Sequence, residues 1–117
     1  ALRGEPITIY GDGSQGRNFI YVEDLAEGNV AALKPEGKNE IFNIAGKEFV
    51  TVRQIVECLK ELIGNIRIEY APPRPGDYKG TIVSIEKAKR KLNWEPKYTF
   101  RKGLIKYIEY CKRMEMF

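Results

Sequence analysis

The sequence predicts an α/β (α+β) fold in which short strands alternate with helices, and two kinds of apolar spacing support this. Apolar and polar residues alternate around Ile7 and Ile9, as in a strand with one buried face. Further along, apolar residues recur at helical spacing between Val52 and Ile63. Alternating strands and helices indicate an α/β or α+β domain. With 117 residues, 43% of them hydrophobic, the chain can form a single domain (residues 1–117) with its own core.

The first predicted strand leads into a glycine-rich loop. Residues 11–16 contain three glycines, which supply backbone freedom, and Arg17 follows them directly. Phe19 and Tyr21 then alternate with their neighbours as in a second strand. A flexible loop between two strands that ends on a guanidinium favours an anionic ligand.

A helix and a third strand are predicted next. Asp24 is the predicted N-cap of the helix, with Glu27 completing a capping box, and the helix ends near residues 35–37. Residues 40–45 (EIFNIA) are nearly all apolar, which suits a strand covered on both faces.

The central helix has the clearest sequence signals. Thr51 and Gln54 form a second capping box, and Gly64 is well placed to end the helix. A brief strand is predicted at residues 67–70.

A stiff loop and two further helices complete the chain. Residues 71–78 (APPRPGDY) contain three prolines, so we predict a loop that presents Arg74 and Asp77. A short strand is possible at residues 81–85. Ser84 is predicted to cap a helix that ends near Leu92, and Thr99 to open the last helix, whose apolar stripe is Leu104, Ile105, Ile108 and Cys111.

Composition and charge favour an ordinary protein of the cytoplasm. The net charge of +4 comes largely from residues that we interpret as solvated helix faces rather than a nucleic-acid surface: Lys87, Lys89, Arg90, Lys91, Arg101, Lys102, Lys106, Lys112 and Arg113. No apolar run is long enough to cross a membrane, and the N-terminus lacks the layout of a signal peptide. Cys58 and Cys111 both fall in helical patterns, so we predict core thiols rather than a disulfide.

Three motif matches are rejected on their context. Residues 11–16 fit G-x-G-x-x-G, but a strand pattern follows where a dinucleotide-binding turn needs a helix. Tyr98 and Lys102 fit the Tyr-x-x-x-Lys pair of short-chain dehydrogenases, but Thr99 is predicted to start the helix, which leaves Tyr98 outside it. Residues 72–75 fit P-x-x-P, which we interpret as a fixed turn.

Arg17, Arg74 and Asp77 remain as candidate binding residues. The absence of histidine excludes Ser-His and Cys-His catalysis, and two separate cysteines do not make a zinc site, so we predict neither catalytic residues nor a metal. Guanidinium groups bind phosphate oxygens in a bidentate manner, and a carboxylate can accept hydrogen bonds from sugar hydroxyls. The alternative is that both arginines are surface residues or members of ion pairs.

Several segments resemble one enzyme family in order and spacing: GEPITIYGDGSQGRNFIYVEDLAEG, EIFNIA, RPGD and KLNWEP. They are similar to the C-terminal portion of the NAD-dependent epimerase/dehydratase family, the extended short-chain dehydrogenases that act on nucleotide-diphosphate sugars. The similarity covers nearly the whole chain and is greatest to members like UDP-glucose 4-epimerase.

The resemblance implies a binding role for seven residues. Arg17 matches an arginine that contacts the diphosphate, and Arg74 and Asp77 match residues that hold the diphosphate and the ribose hydroxyls. Thr8, Ile9 and Tyr10 match the segment that lies along the nucleotide base. Phe19 matches an aromatic residue near the ribose or sugar. Asn18 departs from the family pattern, since many members carry aspartate there.

The resemblance also implies that catalysis belongs to another part of the protein. In the family, an N-terminal Rossmann domain holds NAD and the catalytic residues, and the sugar is transiently oxidised, usually at C4. This chain would be the substrate-binding lobe, inactive alone, with residues 40–45 belonging to the sheet of the N-terminal half. The first residue is alanine, so we expect a piece of a longer protein, with apolar surface uncovered where the other half docks. The full-length enzyme is expected to be a homodimer.

Two alternatives remain open. The first is a nucleotide-sugar 4,6-dehydratase or a UDP-glucuronate decarboxylase, since both would share this lobe. The second is a non-catalytic module that binds a partner through residues 72–75 or through its basic helices.

Overall fold

A computed structural model describes residues 1–116, which cluster into two compact units. Unit 1 contains residues 1–17, 50–81 and 105–116, and unit 2 contains residues 18–49 and 82–104. The regular elements, in chain order, are β1 (Ile7–Tyr10), β2 (Gly16–Arg17), α1 (Val22–Ala32), β3 (Val50–Thr51), α2 (Val52–Ile63), β4 (Ile68–Ala71), α3 (Glu86–Leu92) and α4 (Phe100–Arg113), with a single 3-10 turn at Pro35–Gly37. This mixture of short strands and helices confirms the predicted fold class.

Unit 1 contains both strand pairs. Strands β1 and β4 are parallel, with Ile7 opposite Ile68 and Tyr10 opposite Ala71. Strands β2 and β3 are antiparallel, with Gly16 opposite Thr51. The buried apolar side chains of this unit are supplied by β1, β3, α2 and α4: Ile9, Val50, Val56, Ile108 and Cys111.

Helix α2 begins and ends as its sequence predicts. The Gln54 main-chain N–H donates to Thr51 Oγ1 at 3.2 Å, and the Thr51 N–H donates to Gln54 Oε1 at 2.8 Å, which completes the capping box. At the other end Gly64 has a φ of +100°, a value that favours glycine.

Unit 2 has its core between α1, α3 and the segment after α3. The core residues are Ala31, Ala88, Leu92 and Trp94, with Phe42 and Ile44 packed against them. Gly28 is needed for this packing, because a Cβ there would lie 2.8 Å from Ile44 Cγ2 and 3.2 Å from a Trp94 ring carbon. The close approach of α1 to its neighbours therefore depends on a residue without a side chain.

Asp24 is not the N-cap of α1, contrary to the sequence prediction. The helix begins at Val22, so Asp24 lies in the first turn, and the N-cap residue Tyr21 makes no side-chain capping bond. The Asp24 side chain is 1% exposed and accepts hydrogen bonds from the main-chain N–H groups of Lys97 (2.8 Å) and Tyr98 (2.9 Å). Its carboxylate thus fixes the segment that leads into α4.

Three predicted strands are absent among residues 1–116. Residues 19–21, 40–45 and 81–85 form no ladder, because none of them has a neighbouring strand to pair with in this part of the chain. In place of a ladder, the Asn18 side chain links these segments by two hydrogen bonds. Its Nδ2 donates to Gly46 O at 3.2 Å, and its Oδ1 accepts from Val83 N at 3.0 Å. Ile41 is 86% exposed.

The two C-terminal helices agree with the sequence in one cap and differ in the other. Ser84 is not the N-cap of α3, since Ile85 occupies that position; Ser84 Oγ accepts from Glu86 N at 3.4 Å. Thr99 Oγ1 accepts from Lys102 N at 3.3 Å, as predicted for the residue before α4. Tyr98 therefore precedes the helix, and its hydroxyl donates to Glu23 Oε2 at 2.8 Å.

Helix α1 carries apolar side chains on the face that turns away from its core. Val22, Ala26, Val30 and Leu33 follow the spacing i, i+4, i+8 and i+11, which places them within about 80° around the helix axis. All four are exposed, Leu33 by 86%. A helix that is apolar on both faces is typical of a buried position in a larger protein. None of the helices in residues 1–116 has the length and apolar character needed to cross a membrane.

Glu40 gives unit 2 a stability that depends on pH. Its carboxylate forms ion pairs with Lys87 (2.8 Å) and Lys91, and these hydrogen bonds, Lys87 first, lower the pKa of Glu40 from 4.5 to about 2. A lowered carboxyl pKa stabilises the folded state above pH 4.5, and this contribution is lost as the pH falls towards about 2.

We therefore expect Glu40→Gln to flatten the dependence of unfolding free energy on pH in that window. The change will be small, because partly exposed ion pairs contribute little. Urea unfolding at a series of pH values measures it, with Glu36→Gln in the exposed 3-10 turn as the matched substitution. The prediction would be wrong if the unfolding free energy of Glu40→Gln changed with pH as steeply as that of the unmodified protein.

Candidate functional site

Two loops of unit 1 leave the same end of the β1–β4 pair. The glycine loop (residues 11–16) follows β1, and the proline loop (residues 72–79) follows β4. Main-chain hydrogen bonds join them at both ends, from Gly11 N to Ala71 O (2.9 Å) and from Gly16 N to Lys79 O (2.8 Å). The carboxyl ends of parallel strands are a common place for ligands to bind.

The glycine loop is held by its own side chains. Asp12 Oδ1 accepts from Ser14 N at 2.9 Å, and Gln15 Nε2 donates to Tyr10 O at 2.9 Å. The hydrogen bonds from Ser14 are the main reason why the pKa of Asp12 is lowered. Gly11 and Gly13 have φ values of +74° and +76°, so two of the three positions predicted to use the backbone freedom of glycine do so, whereas Gly16 lies in β2 without a positive φ. The loop continues into β2 rather than a helix, as predicted, so it lacks the helix N-terminus that a dinucleotide-binding turn uses.

Arg53 fixes the same loop from the first turn of α2. Its Nε donates to Asp12 O at 2.5 Å, and its main-chain N–H donates to Gly13 O at 3.1 Å. The sequence analysis did not identify this residue, because nothing in the local pattern links position 53 with the loop.

The proline loop contains a tight turn at its centre. Asp77 N donates to Arg74 O at 3.1 Å, which closes the turn formed by the residues Arg-Pro-Gly-Asp. Gly76 has a φ of +84°, as a type II turn with proline before glycine requires. The side chains of Arg74 and Asp77 are exposed on this turn. The prediction of a fixed turn at this P-x-x-P sequence is confirmed.

Each of the two predicted arginines lies over a tyrosine ring: Arg17, in β2, lies over Tyr78 of the proline loop, and Arg74, on the proline loop, lies over Tyr10 at the end of β1. The Arg17 Cζ atom is 4.1 Å from the centre of the Tyr78 ring, and the Arg74 Cζ atom is 3.8 Å from the centre of the Tyr10 ring. Arg17 Nη1 also donates to Gly16 O (2.7 Å) and Tyr78 O (3.4 Å). These contacts use at most two of the five N–H donors of the guanidinium, so donors remain for a ligand.

The other predicted residues have different surroundings. Thr8 is exposed on β1, whereas the Ile9 side chain is 2% exposed and belongs to the core of unit 1. Contact between Ile9 and a ligand could therefore involve only its main chain. Phe19 belongs to unit 2, where its ring is 41% exposed and lies 5.8 Å from the Phe100 ring.

Three of the four basic residues of α3 are engaged in ion pairs. Lys87 and Lys91 contact Glu40, and Lys89 lies 3.7 Å from both Glu86 and Glu95. These pairs place acidic groups among the cations, which supports the interpretation of a solvated helix face over that of a nucleic-acid surface.

Tyr78 is a second residue of this site, besides Arg53, that was not predicted from the sequence. A signal was present, because Tyr10 directly precedes the glycine loop and Tyr78 directly follows the Arg-Pro-Gly-Asp turn. An aromatic residue beside each arginine-bearing loop is a pattern that cation–π stacking would explain.

The sequence model of the GDP-mannose 4,6 dehydratase family matches residues 1–107. The chain belongs to this family. The resemblance to NAD-dependent epimerases and dehydratases drawn from the sequence is confirmed by this match and by the relatives that follow.

Two curated relatives in this family act on UDP-sugars according to their names. The chain is 43% identical to UDP-glucuronate 4-epimerase of Thermodesulfobacterium geofontis (strain OPF15), and the match covers 92% of this chain and 34% of the relative. It is 39% identical to UDP-glucuronic acid decarboxylase 1 of Arabidopsis thaliana, over 92% of this chain and 25% of the relative. The chain thus spans about a third of the length of the first relative and a quarter of the second.

Two solved structures share the fold of this chain. UDP-glucose 4-epimerase of Thermotoga maritima with UDP-glucose is 41% identical and has a TM-score of 0.91. UDP-glucuronic acid 4-epimerase of Bacillus cereus, in complex with UDP-glucuronic acid and NAD, is 34% identical and has a TM-score of 0.89. Each match covers 97% of this chain and 37% of the solved one.

Proposed function

We propose that this chain is the substrate-binding part of an NAD-dependent nucleotide-sugar 4-epimerase and that it binds the nucleotide diphosphate of a UDP-sugar. The observation that carries the proposal is that two arginines, Arg17 beside the glycine loop and Arg74 on the proline loop joined to it, each lie over a tyrosine ring. Two guanidinium groups on rigid loops suit a diphosphate, because both phosphates can be bound with little loss of side-chain entropy.

The remaining predicted residues would complete the contacts. Asp77, exposed on the turn after Arg74, would accept hydrogen bonds from the ribose hydroxyls. Thr8 and Tyr10 on β1 would lie along the base, with Ile9 contributing main-chain atoms only, and Phe19 would lie near the ribose or sugar. UDP-sugars occur in the names of the relatives and of the solved structures, which supports uridine diphosphate as the nucleotide.

NAD would be held by another part of the polypeptide. The glycine loop of this chain enters a strand, so it lacks the helix N-terminus that a dinucleotide needs and does not fit this cofactor. We propose an N-terminal NAD-binding domain in a longer protein, packed against the exposed apolar face of α1. NAD would accept and return the hydride at the sugar, and the residues of this chain would hold and orient the nucleotide end. The homodimer and the cytoplasmic location remain predictions.

A UDP-glucuronate decarboxylase or a nucleotide-sugar 4,6-dehydratase is the second candidate. The 39% identity to a plant UDP-glucuronic acid decarboxylase favours this alternative specifically. Because the lobe described here would bind the same nucleotide in each case, only product analysis of the full-length protein with several UDP-sugars separates the reactions.

The binding role is tested by calorimetric titration of the full-length protein with UDP-glucose. Arg74→Ala is expected to weaken binding by about 1.5–3 kcal/mol, because one charged hydrogen-bonding partner is lost. Uridine, which lacks the diphosphate, should bind the unmodified protein and Arg74→Ala with equal affinity.

Arg113→Ala is a matched control, since Arg113 also lies over a tyrosine, Tyr110, but on α4 (5.8 Å). It should bind UDP-glucose as the unmodified protein does. An unchanged UDP-glucose affinity in Arg74→Ala would refute the assignment. A protein whose melting temperature does not respond to any UDP-sugar would favour the non-catalytic module.

A further inference from the structure

We propose that Tyr78 is a positioning residue for Arg17, and Tyr10 for Arg74, so that each of the two tyrosine rings holds one arginine ready for the diphosphate. The inference rests on the proposed function and adds two residues that act through the arginines, Tyr78 having no other assigned role. It also predicts that the contribution of each arginine to UDP affinity depends on one tyrosine ring, and affinity measurements on variants can test this dependence.

The contacts of Arg17 show how Tyr78 could act. The Arg17 Cζ atom lies 4.1 Å from the Tyr78 ring centre, while Nη1 donates to the Gly16 and Tyr78 carbonyl oxygens. The ring and the two carbonyl groups therefore fix one end of the guanidinium. Tyr78 itself is 58% exposed, so its side chain contributes little to the core and its position is better explained by the arginine.

In the second contact the arginine, Arg74, is on the proline loop, and the ring, that of Tyr10, directly precedes the glycine loop. Arg74 is exposed on the proline loop, and its Cζ atom lies 3.8 Å from the ring centre of Tyr10. The ladder partner of Tyr10 is Ala71, the last residue before the proline loop. The parallel pairing of β1 and β4 thus brings the ring to the start of the loop that carries Arg74.

Stacking of this kind would increase affinity by reducing disorder before binding. A free arginine side chain has many rotamers, and ordering them on binding costs free energy that the ligand must supply. A guanidinium that already lies over a ring has lost part of this freedom in the unbound protein. Replacing the ring should therefore weaken UDP binding by an amount close to that of an exposed cation–π contact, roughly two- to fivefold.

The test is a double-mutant cycle on the full-length protein, with the dissociation constant of UDP measured by calorimetry. Tyr78→Leu is expected to weaken UDP binding roughly two- to fivefold in the unmodified protein and in Arg74→Ala. In Arg17→Ala the same change should have no further effect, because the arginine through which Tyr78 acts is gone. A purely structural role of Tyr78 would give the same loss in all three backgrounds.

Three further variants strengthen the cycle. Tyr78→Phe keeps the ring and should retain the affinity of the unmodified protein, whereas Tyr78→Gln, a polar replacement suited to an exposed position, should repeat the loss seen with leucine. Tyr110→Leu is the matched control, since it removes a ring that lies 5.8 Å from Arg113 on α4. It should leave the UDP affinity unchanged.

The outcomes separate this inference from the proposed function. If Arg17→Ala and Arg74→Ala weaken UDP binding but Tyr78→Leu and Tyr78→Gln do not, the inference is wrong and the diphosphate site stands. The inference is also wrong if Tyr78→Leu weakens binding equally in Arg17→Ala. If neither arginine variant changes the UDP affinity, the proposed function fails and the inference fails with it.

Discussion

Replacing Asp24 with alanine is expected to lower the free energy of unfolding by about 3 kcal/mol. The carboxylate is 1% exposed and accepts from the main-chain N–H groups of Lys97 and Tyr98 at 2.8 and 2.9 Å. Alanine would remove both acceptors at once and leave two N–H groups without partners beside a cavity. Hydrogen bonds to a charged group are each worth about 1.5–3 kcal/mol, so the removal of two of them at once is expected to cost a large share of the stability.

Urea unfolding followed by circular dichroism measures the effect. Asp24→Asn keeps one acceptor oxygen in nearly the same volume and should show a smaller loss. Asp77→Ala is the same change at an exposed carboxylate and should leave the unfolding midpoint within experimental scatter. A midpoint for Asp24→Ala equal to that of Asp77→Ala would show that the two hydrogen bonds do not hold the segment before α4.

Replacing Gly80 with alanine is expected to lower both the stability of unit 1 and the affinity for UDP. Gly80 has a φ of +110°, and a Cβ there would lie 2.0 Å from Gly16 O. Because Gly16 O accepts from Arg17 Nη1 at 2.7 Å, moving this carbonyl also moves the guanidinium. Overpacking of this kind costs about 1–3 kcal/mol in addition to the cost of the positive φ, which is about 1–2 kcal/mol.

Gly64→Ala is the control that separates the two costs. Gly64 has a φ of +100° but no heavy atom within 4 Å of an added Cβ, so alanine there meets the backbone strain without the collision. We expect Gly80→Ala to lower the urea midpoint more than Gly64→Ala does, and only Gly80→Ala to weaken UDP binding. If the two variants had equal urea midpoints and equal UDP affinities, the close approach of Gly80 to Gly16 O would be shown to matter for neither stability nor binding.

The sequence predicted helix ends correctly where the capping interactions join residues that are close together in the chain. Thr51 and Gln54 form the predicted capping box, Gly64 ends the helix, and Thr99 caps the last helix, because each interaction is complete within a few residues. Asp24 shows the limit of this reasoning. Its sequence context fits an N-cap, but the partners of its carboxylate are more than 70 residues away, at Lys97 and Tyr98.

The strand predicted at residues 40–45 forms no ladder within residues 1–116, and the resemblance assigns it to the sheet of an N-terminal half that lies outside this chain. The apolar run fits a strand, but a strand exists only when another strand offers hydrogen-bond partners, and residues 1–116 offer none to this segment. The composition of a segment does not reveal whether such a partner is present. The exposed Ile41 and the apolar outer face of α1 are consistent with a partner elsewhere in a longer protein.

Part of the candidate site could be predicted from residue types and part could not. Arg17 and Arg74 were identified because each follows glycine- or proline-rich sequence, and the structure places each beside the opposite loop. Tyr78 and Arg53 were missed because their roles depend on which loops lie side by side. That arrangement is set by the parallel pairing of β1 and β4, which the sequence did not predict.

The bonds that join the glycine and proline loops have a consequence for how this site can evolve. Both joining bonds, Gly11 N to Ala71 O and Gly16 N to Lys79 O, are made by main-chain atoms, which nearly every residue type provides. Side chains between them that make no bond within the loops, such as that of the exposed Pro72, can therefore be exchanged without breaking the two joining bonds. If the chain has the proposed function, mutations inside the loops would change the sugar nucleotide that is accepted while the two arginines keep their positions. Selection for a new substrate would thus begin from a binding site that is already assembled.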